Sequence, residues 1–383
     1  MFQLSNNKIF IITGELSGEM HAAHLVTALQ ERFPFQFSAV GSRRLAETGA
    51  HIICDYYNIS ITGISEAFSK INHIHKTLRT VKKHIKDTRP ALVILVDFPG
   101  FNLRMARFSK KLGIPVIYFI APQIWAWRKK RIETIKRYVD RVICILPFEQ
   151  MLYESNGVDA VYVGHPFVNT VRPELSKEEF LKRIKTDGKN PILTIMPGSR
   201  KNEMTKHMPV LLKTVVVMKK IIPELVVVLP LAENIEMATL EPYRNSLSDI
   251  RVMRGFAYDA LAYCDTAVVA SGSVTLEAAV LKTPTIVIYR ISPVSYLLAR
   301  MLVKINFISL PNIIAGKSVF PEYIQSIDPE KIAEKALHMV HNGKEEIQED
   351  IEGIVEKLGH YNAYKSAGDA VIGFLEKRYG ALS

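Results

Sequence analysis

Apolar residues in this chain fall in short β-rich runs that alternate with longer amphipathic stretches of helical period, the pattern of strands feeding helices in parallel sheets. The first series of runs covers 8–13, 36–40, 91–96, 115–119, 141–146 and 160–163. A second series starts afresh at 191–196 and continues at 225–230, 250–253, 266–270 and 284–289. Between them, 168–190 is polar, contains Pro173 and reads as a linker with a short helix. From 329 onward the pattern is helical without a strand. The expected class is α/β, with two Rossmann-like domains facing across a cleft: an N-terminal one over 1–168, a C-terminal one over 169–355, and helices over 356–383 that return to the N-terminal domain.

Composition fits that division. At 383 residues the chain exceeds what one core usually supports, and 48% apolar with 23% charged residues is ordinary for a folded protein. A formal charge of +11, spread along the chain, favours an anionic partner: phosphate groups, nucleic acid or an acidic membrane face. Cys54, Cys144 and Cys264 are odd in number, far apart and in or beside apolar stretches, so they read as buried thiols of a reducing compartment. Met1 to Asn7 is polar and lacks the layout of a secretory leader. Lys213, Lys219 and Lys220 break 210–232, and Arg300 and Lys304 break 296–314, so no spanning segment is expected; a position on a membrane surface stays open.

In open parallel sheets ligands sit beyond the carboxyl ends of the strands, which directs attention to the residues that follow each apolar run. The first run ends in Thr13-Gly14-Glu15-Leu16-Ser17-Gly18-Glu19, where glycines permit a tight turn and close ligand approach, or only close packing of helix on strand. The spacing fits neither a dinucleotide fingerprint nor a hydrolase nucleophile at Ser17. The run 91–96 delivers Asp97, then Phe98-Pro99-Gly100-Phe101-Asn102. An acid there is a candidate general base whose pKa partial burial would raise; the alternative is a cap for a helix starting near Asn102.

After 115–119 come Gln123, Trp125 and Trp127, followed by Arg128, Lys129, Lys130 and Arg131, a mixture suited to a part-apolar, part-phosphate acceptor or a membrane interface, or simply a solvated helix start. In the second series, Met196-Pro197-Gly198-Ser199-Arg200 with Glu203 supplies a glycine turn and a fixed cation at a helix start, suited to a diphosphate held without metal. Ser271-Gly272-Ser273-Val274-Thr275-Leu276-Glu277 offers amides and hydroxyls for phosphate and, in Glu277, an acceptor for ribose hydroxyls, with N-capping by Ser273 as the plainer reading. A Gly-x-x-x-x-Gly-Lys-Ser/Thr loop and an Asp-x-Asp motif are both missing. His21 and His24 share a helix face near Glu19, where helix surface or substrate contact is preferred over metal ligation. The expected chemistry is metal-independent and calls for no cofactor.

Taken together with Pro122-Gln123-Ile124-Trp125-Ala126-Trp127, Pro147-Phe148-Glu149, Val163-Gly164-His165-Pro166, Pro197-Gly198-Ser199-Arg200-Lys201-Asn202-Glu203 and Leu310-Pro311-Asn312-Ile313, these loops resemble the lipid-A-disaccharide synthase family over nearly the whole chain. Each motif alone is weak; their order and spacing together are specific. The resemblance implies a glycosyltransferase of the two-Rossmann (GT-B) type, with an N-terminal acceptor domain and a C-terminal UDP-sugar donor domain. The implied reaction moves 2,3-diacylglucosamine from UDP to the 6-hydroxyl of 2,3-diacylglucosamine 1-phosphate, inverting to a β-1,6 bond, in lipid A biosynthesis. Asp97 then looks like the catalytic base, and Arg200 and Asn312 like donor-site residues. Gly198, Ser199, Glu203, Ser271, Gly272, Ser273, Thr275 and Glu277 complete the expected donor site; Glu15, Ser17, Gly18, Glu19, Gln123, Trp125, Trp127 and Arg128 make the acceptor side. Glu19 stands where the family usually has Asp, and Gly100 where it often has a second acid.

Such a transfer passes through an oxocarbenium-like transition state, with Asp97 taking the hydroxyl proton, Arg200 and the 271–275 amides stabilising the diphosphate, and domain closure assembling the site. Acylated substrates also call for an apolar approach. Ile64, Phe68, Ile71, Ile74, Leu78 and Val81 form a stripe at helical spacing flanked by Lys70, Lys76, Arg79, Lys82, Lys83 and Lys86. This reads either as a helix in an anionic membrane interface, with Ile64, Phe68, Ile71 and Leu78 in contact, or as a core-facing helix with a basic outer face. Tyr296, Leu297, Leu298, Met301 and Leu302 offer a second apolar patch. The expected partners are UDP-diacylglucosamine, diacylglucosamine 1-phosphate and an anionic membrane surface on the cytoplasmic side of the bacterial inner membrane, not nucleic acid. Competing readings are a soluble-sugar enzyme such as a UDP-N-acetylglucosamine epimerase, and a non-enzymatic lipid- or nucleotide-binding module.

Overall fold

Branched apolar residues buried on both faces make the strands of this chain: Leu92–Val96 reads LVILV and every residue is buried. The structure, a computed structural model, describes residues 6–56, 64–122, 124, 131–292, 306–359 and 362–380, with backbone alone over 64–72. The chain divides into two units, Met1–Pro166 with His360–Ser383, and Phe167–Gly359.

The first unit holds a parallel seven-stranded sheet. Its strands are β1 (Lys8–Ile12), β2 (Gln36–Gly41), β3 (His51–Asp55), β4 (Leu92–Val96), β5 (Val116–Phe119), β6 (Arg141–Cys144) and β7 (Ala160–Tyr162), in the order β3-β2-β1-β4-β5-β6-β7. Helices α1 (Leu16–Gln30), α2 (Arg43–Glu47), α3 (Ile64–Thr88), α4 (Pro99–Lys111), α5 (Arg131–Tyr138) and α6 (Glu149–Glu154) connect them. Alternate strand residues serve opposite faces. Phe10, Ile12, Val93 and Leu95 pack with Val81 and Ile85 of α3, Met105 of α4 and Ile135 of α5. Ile9, Ile11, Ile94 and Val96 pack with α1 and with Ala367, Val371 and Leu375 of the C-terminal segment.

In the second unit α7 (Phe167–Thr170) and α8 (Lys177–Arg183) fill the polar segment before the sheet, α8 being capped by Ser176 Oγ on the Glu179 amide at 3.2 Å. Six strands follow: β8 (Ile192–Met196), β9 (Val226–Leu231), β10 (Ile250–Arg254), β11 (Thr266–Ala270), β12 (Thr285–Tyr289) and β13 (Glu322–Ile324), in the order β10-β9-β8-β11-β12-β13. They alternate with α9 (Lys201–Ile221), α10 (Ala257–Ala262), α11 (Val274–Val280) and α12 (Leu310–Ala315), and end in α13 (Pro329–Lys357). The last helix, α14 (Ala363–Tyr379), belongs to the first unit, where it lies on α1. Its Tyr364 hydroxyl meets His21 Nδ1 at 2.9 Å, and the guanidinium of Arg141 stands 5.6 Å from the Phe374 ring.

Two strands lie outside the expected series. β3 is a half-buried edge strand, and β13 has three residues, so neither presents a long apolar run. The reading of Leu78 as a membrane contact is corrected. Leu78 is buried in the α3–sheet core beside Val81 and Ile85, so this end of the stripe is spent on folding. The side chains of Ile64, Phe68 and Ile71, and all of 296–302, lie outside the described residues. Lys76, Arg79, Lys82, Lys83 and Lys86 are exposed on α3. Among the described residues no helix is long and apolar enough to cross a membrane. Cys144 and Cys264 are buried and Cys54 half-buried, all as free thiols.

Candidate active site

Strand order turns around between β1 and β4 in the first sheet and between β8 and β11 in the second. Ligands of open α/β sheets bind beyond the strands' carboxyl ends at such points. Ile12 pairs with Leu95, so the Gly14 and Asp97 loops leave the first sheet side by side; Val269 pairs with Met196, so the Gly198 and Ser271 loops do the same in the second.

At the first switch point the backbone is strained. Asp97 and Phe98 have φ of 47° and 46°, a left-handed conformation that costs a non-glycine residue about 1–3 kcal/mol. Buried Asn102 holds it in place: its Nδ2 donates to Asp97 O at 2.7 Å, Val96 O at 3.1 Å and Ile12 O at 3.4 Å. The Tyr118 hydroxyl adds a 2.6 Å bond to Asp97 O. Helix α4 begins at Pro99 rather than near Asn102, with Phe98 at the N-cap position and no side-chain cap, so Asp97 is not spent on capping. The Phe98 ring lies against Gly14, where a Cβ would stand 2.0 Å from Phe98 Cγ.

The Asp97 carboxyl is pushed up to about 7, first by burial, then by a hydrogen bond with the Glu15 carboxyl and by that group's charge, against a bond to the Phe98 backbone that favours the anion. Glu15 is exposed and accepts from Ser17 Oγ at 3.2 Å. This arrangement can take a proton near neutral pH. Gly18 is buried beneath the loop, with its Cβ direction toward Val96 and Asp97.

Glu19 is not part of this surface. It is 1% exposed, and its Oε1 accepts from the amides of Ser42 at 2.6 Å and Leu45 at 3.2 Å, closing the start of α2. His165 is buried and His21 half-buried: burial first, with repulsion from a neighbouring histidine, depresses them to about 3 and about 4 respectively. His24 stacks on Tyr364 with ring centroids 4.5 Å apart. Among the described residues no group of three or more His, Cys, Asp or Glu could hold a metal ion. Gln123, Trp125, Trp127 and Arg128 lie outside the described residues.

The second switch point gathers Gly198, Ser199, Arg200 and Glu203. Glu203 Oε2 accepts from the amides of Ser199 at 3.0 Å and Arg200 at 3.2 Å, while its Oε1 meets Arg200 Nη1 at 2.9 Å. The amides expected for a diphosphate are therefore occupied by a carboxylate from one helical turn on. Gly198 has φ 118°, and a Cβ there would stand 2.4 Å from Glu203 Oε2. Buried His207 anchors the loop, with Nδ1 on Pro197 O at 2.8 Å and Nε2 accepting from the Arg290 amide at 3.0 Å. Asn234 Nδ2 adds a 2.8 Å bond to Ser199 O.

On the adjacent loop Gly272 and Ser273 are exposed. Ser273 does not cap α11 with its side chain; its hydroxyl donates to Glu277 Oε1 at 3.0 Å. Burial raises the Glu277 carboxyl above its ordinary value, against that bond. Ser271 is half-buried, its Oγ 3.5 Å from Ile308 O. Thr275 is buried with its hydroxyl on Gly272 O at 2.8 Å, so this hydroxyl braces the loop instead of facing a ligand.

Asn312 is corrected likewise. Its Oδ1 accepts from Val319 N and Phe320 N at 2.8 Å, and its Nδ2 donates to Phe320 O at 2.7 Å and Glu322 Oε1 at 2.8 Å. Fully buried and committed to these bonds, it is a brace rather than a donor contact. Glu322 extends the brace to the amides of Ile308 and Ser309, both at 2.9 Å. Sequence reasoning missed Asn102, Tyr118, His207 and Glu322. Only Asn102 left a signal, an amide side chain on the apolar face of an amphipathic helix.

The lipid-A-disaccharide synthetase family model matches residues 9–372. The lipid-A-disaccharide synthase of Syntrophus aciditrophicus is 39% identical over 98% of this chain and 99% of its own length. That of Myxococcus xanthus is 37% identical over 96% and 97%. Among solved structures, a putative UDP-N-acetylglucosamine 2-epimerase from Listeria monocytogenes superposes with a TM-score of 0.64 at 14% identity, covering 98% of this chain and 97% of the other. The calicheamicin glycosyltransferase CalG4 does so with 0.60 at 12% identity, covering 98% and 99%. These structural likenesses concern the fold, the two Rossmann-like units of the GT-B class. The extent and identity of the sequence matches establish more: this chain belongs to the lipid-A-disaccharide synthetase family.

Proposed function

We propose that the chain transfers 2,3-diacylglucosamine from UDP to the 6-hydroxyl of 2,3-diacylglucosamine 1-phosphate, with inversion, giving a β-1,6 disaccharide and UDP. The observation that carries this reading is the Asp97 carboxyl at the first switch point, tuned by burial and Glu15 to about 7. At that value the anion is populated at neutral pH and is still basic enough to draw a proton from a hydroxyl as it attacks. The acceptor oxygen bonds to the anomeric carbon, the bond from that carbon to the diphosphate breaks, and the hydroxyl proton passes to Asp97. The transition state is oxocarbenium-like.

The second unit's residues answer the negative charge that grows on the leaving diphosphate. Arg200 exchanges its Glu203 partner for phosphate oxygens, and the Ser199 and Arg200 amides become available when Glu203 withdraws. Exposed Gly272 and Ser273 extend the cradle, and Glu277 accepts from the ribose hydroxyls. The exposed cations of α3, from Lys76 to Lys86, suit an anionic cytoplasmic membrane surface from which acylated substrates are drawn. UDP release in detergent micelles tests the reading. Release that requires diacylglucosamine 1-phosphate and matches disaccharide mole for mole supports it; turnover of UDP-N-acetylglucosamine without acceptor points to an epimerase and counts against it.

A further inference from the structure

A groove of about 920 Å³ runs between α4 and α5 in the first unit. Arg104, Arg107, Arg131, Lys136 and Arg137 line it against a single carboxylate, Glu133. Arg104, Arg107, Lys136 and Arg137 form no ion pair among the described residues. The charge is also drawn together. The guanidiniums of Arg107 on α4 and Arg137 on α5 stand 6.0 Å and 5.9 Å from the same Tyr138 ring. Like charges at Arg104, Arg107, Lys136 and Arg137 along one groove repel one another, and an anion seated among them relieves that repulsion.

The groove begins two residues after the candidate base in the chain. Pro99 and Gly100, which follow Asp97 and Phe98 at the start of α4, line its near end. Arg104 lies about 7–8 Å farther along the helix axis from Pro99 at 1.5 Å per residue. Its volume is that of a small-molecule site, and its planar guanidiniums match phosphate oxygens in pairs. A flat bilayer would instead be met by the exposed lysines of α3.

We propose that the α4–α5 groove is a phosphomonoester site, and that it holds the phosphate of the acceptor while the far side of the same sugar meets Asp97. This deepens the transfer reading above and rests on it.

The test uses the full chain and an Arg107→Ala/Arg137→Ala variant. Steady-state rates are measured with diacylglucosamine 1-phosphate and with diacylglucosamine lacking the phosphate. The expected result is a KM for the phosphorylated acceptor raised by about tenfold or more, the scale of a lost charge-assisted hydrogen bond, with kcat and the phosphate-free acceptor little affected. Equal losses on both acceptors would overturn the proposal. So would weakened sedimentation with phosphatidylglycerol vesicles at unchanged KM, which would assign the groove to lipid headgroups. A readout without turnover separates this proposal from the transfer reading: glucosamine 1-phosphate, titrated calorimetrically, should bind the native chain, bind weakly to the double variant, and bind more tightly to Glu133→Gln. No binding to the native chain would sink the groove proposal even if disaccharide forms. Binding with no transfer would sink the transfer reading, and with it the assignment of the bound phosphate to an acceptor, while the groove would stand as a phosphomonoester site.

Discussion

The Phe98 ring occupies the space that a side chain at Gly14 would need, a Cβ there standing 2.0 Å from Phe98 Cγ. That contact ties the β1 loop to the residue after the candidate base, and Asn102 and Tyr118 fix the base's own carbonyl from below. Gly14→Ala must therefore move Phe98 and, with it, Asp97. The expectation is a fall in kcat of one to two orders of magnitude, because misplacing a reacting group by about 1 Å costs about a hundredfold. Far-ultraviolet circular dichroism should stay close to native. Unchanged kcat would show that the Asp97 position tolerates displacement of Phe98.

The pH dependence follows from the Asp97 environment. Its carboxyl must be ionised to accept a proton, so kcat/KM should rise with pH and reach half its plateau near 7. In Glu15→Gln the neighbouring negative charge is gone, and the midpoint should move to lower pH. The move is partial, since burial is the larger cause. A midpoint that stays in place would exclude Glu15 as a source of the shift.

Stability should show the same group with the opposite preference. Folding raises the Asp97 pKa from 3.8 to about 7, so the folded state binds its proton more tightly than the unfolded one. The resulting penalty is absent below about 3.8, grows as pH rises, and is complete above about 7. Asp97→Asn removes it, and should stabilise the protein at pH 8 by up to about 4 kcal/mol, with little gain at pH 4. Denaturant titrations at both values measure this. Equal effects at both would mean that the charge is not strained by folding.

Glu203 closes the amides of Ser199 and Arg200, and a diphosphate must displace it to use them. Glu203→Gln weakens that internal competitor and removes a like charge, so UDP should bind more tightly, by about tenfold for each ~1.4 kcal/mol gained. Arg200→Ala should weaken UDP by about 1.5–3 kcal/mol, the range of a charge-assisted hydrogen bond. Calorimetric titration with UDP reads both. Looser binding by Glu203→Gln would indicate that Glu203 contacts the donor directly.

Much of this layout was legible because parallel strands buried on both faces leave continuous apolar runs, and each run points to the loop after it. That reading directs attention to Asp97, Arg200 and the Ser271 loop, which lie after the strands at the two switch points. What stayed hidden depends on distant partners. Glu19 lies in the first turn of α1 but spends its carboxylate on amides at Ser42 and Leu45. Asn312 reads as a motif residue, yet its meaning rests on the backbone of Val319 and Phe320 and on Glu322. Leu78 belongs to a stripe that reads equally as membrane-facing or core-facing in one dimension; only the sheet beneath α3 shows that Leu78, Val81 and Ile85 are buried in the core. Glu203 did leave a local trace, since an acid three residues past a helix start has the spacing that closes back on the first amides. β3 and β13, short or half-buried at sheet edges, left none.

Product formation by the purified chain is the most direct measure of the proposed transfer. UDP-diacylglucosamine and diacylglucosamine 1-phosphate are mixed with the native chain or with Asp97→Asn in micelles, and the products are resolved by mass spectrometry. The expected products from the native chain are a β-1,6 disaccharide 1-phosphate and UDP in equal amounts, and the variant should be slower by about 10²–10⁴, the usual contribution of a general base. No disaccharide from the native chain, or near-native turnover by Asp97→Asn, would contradict this expectation.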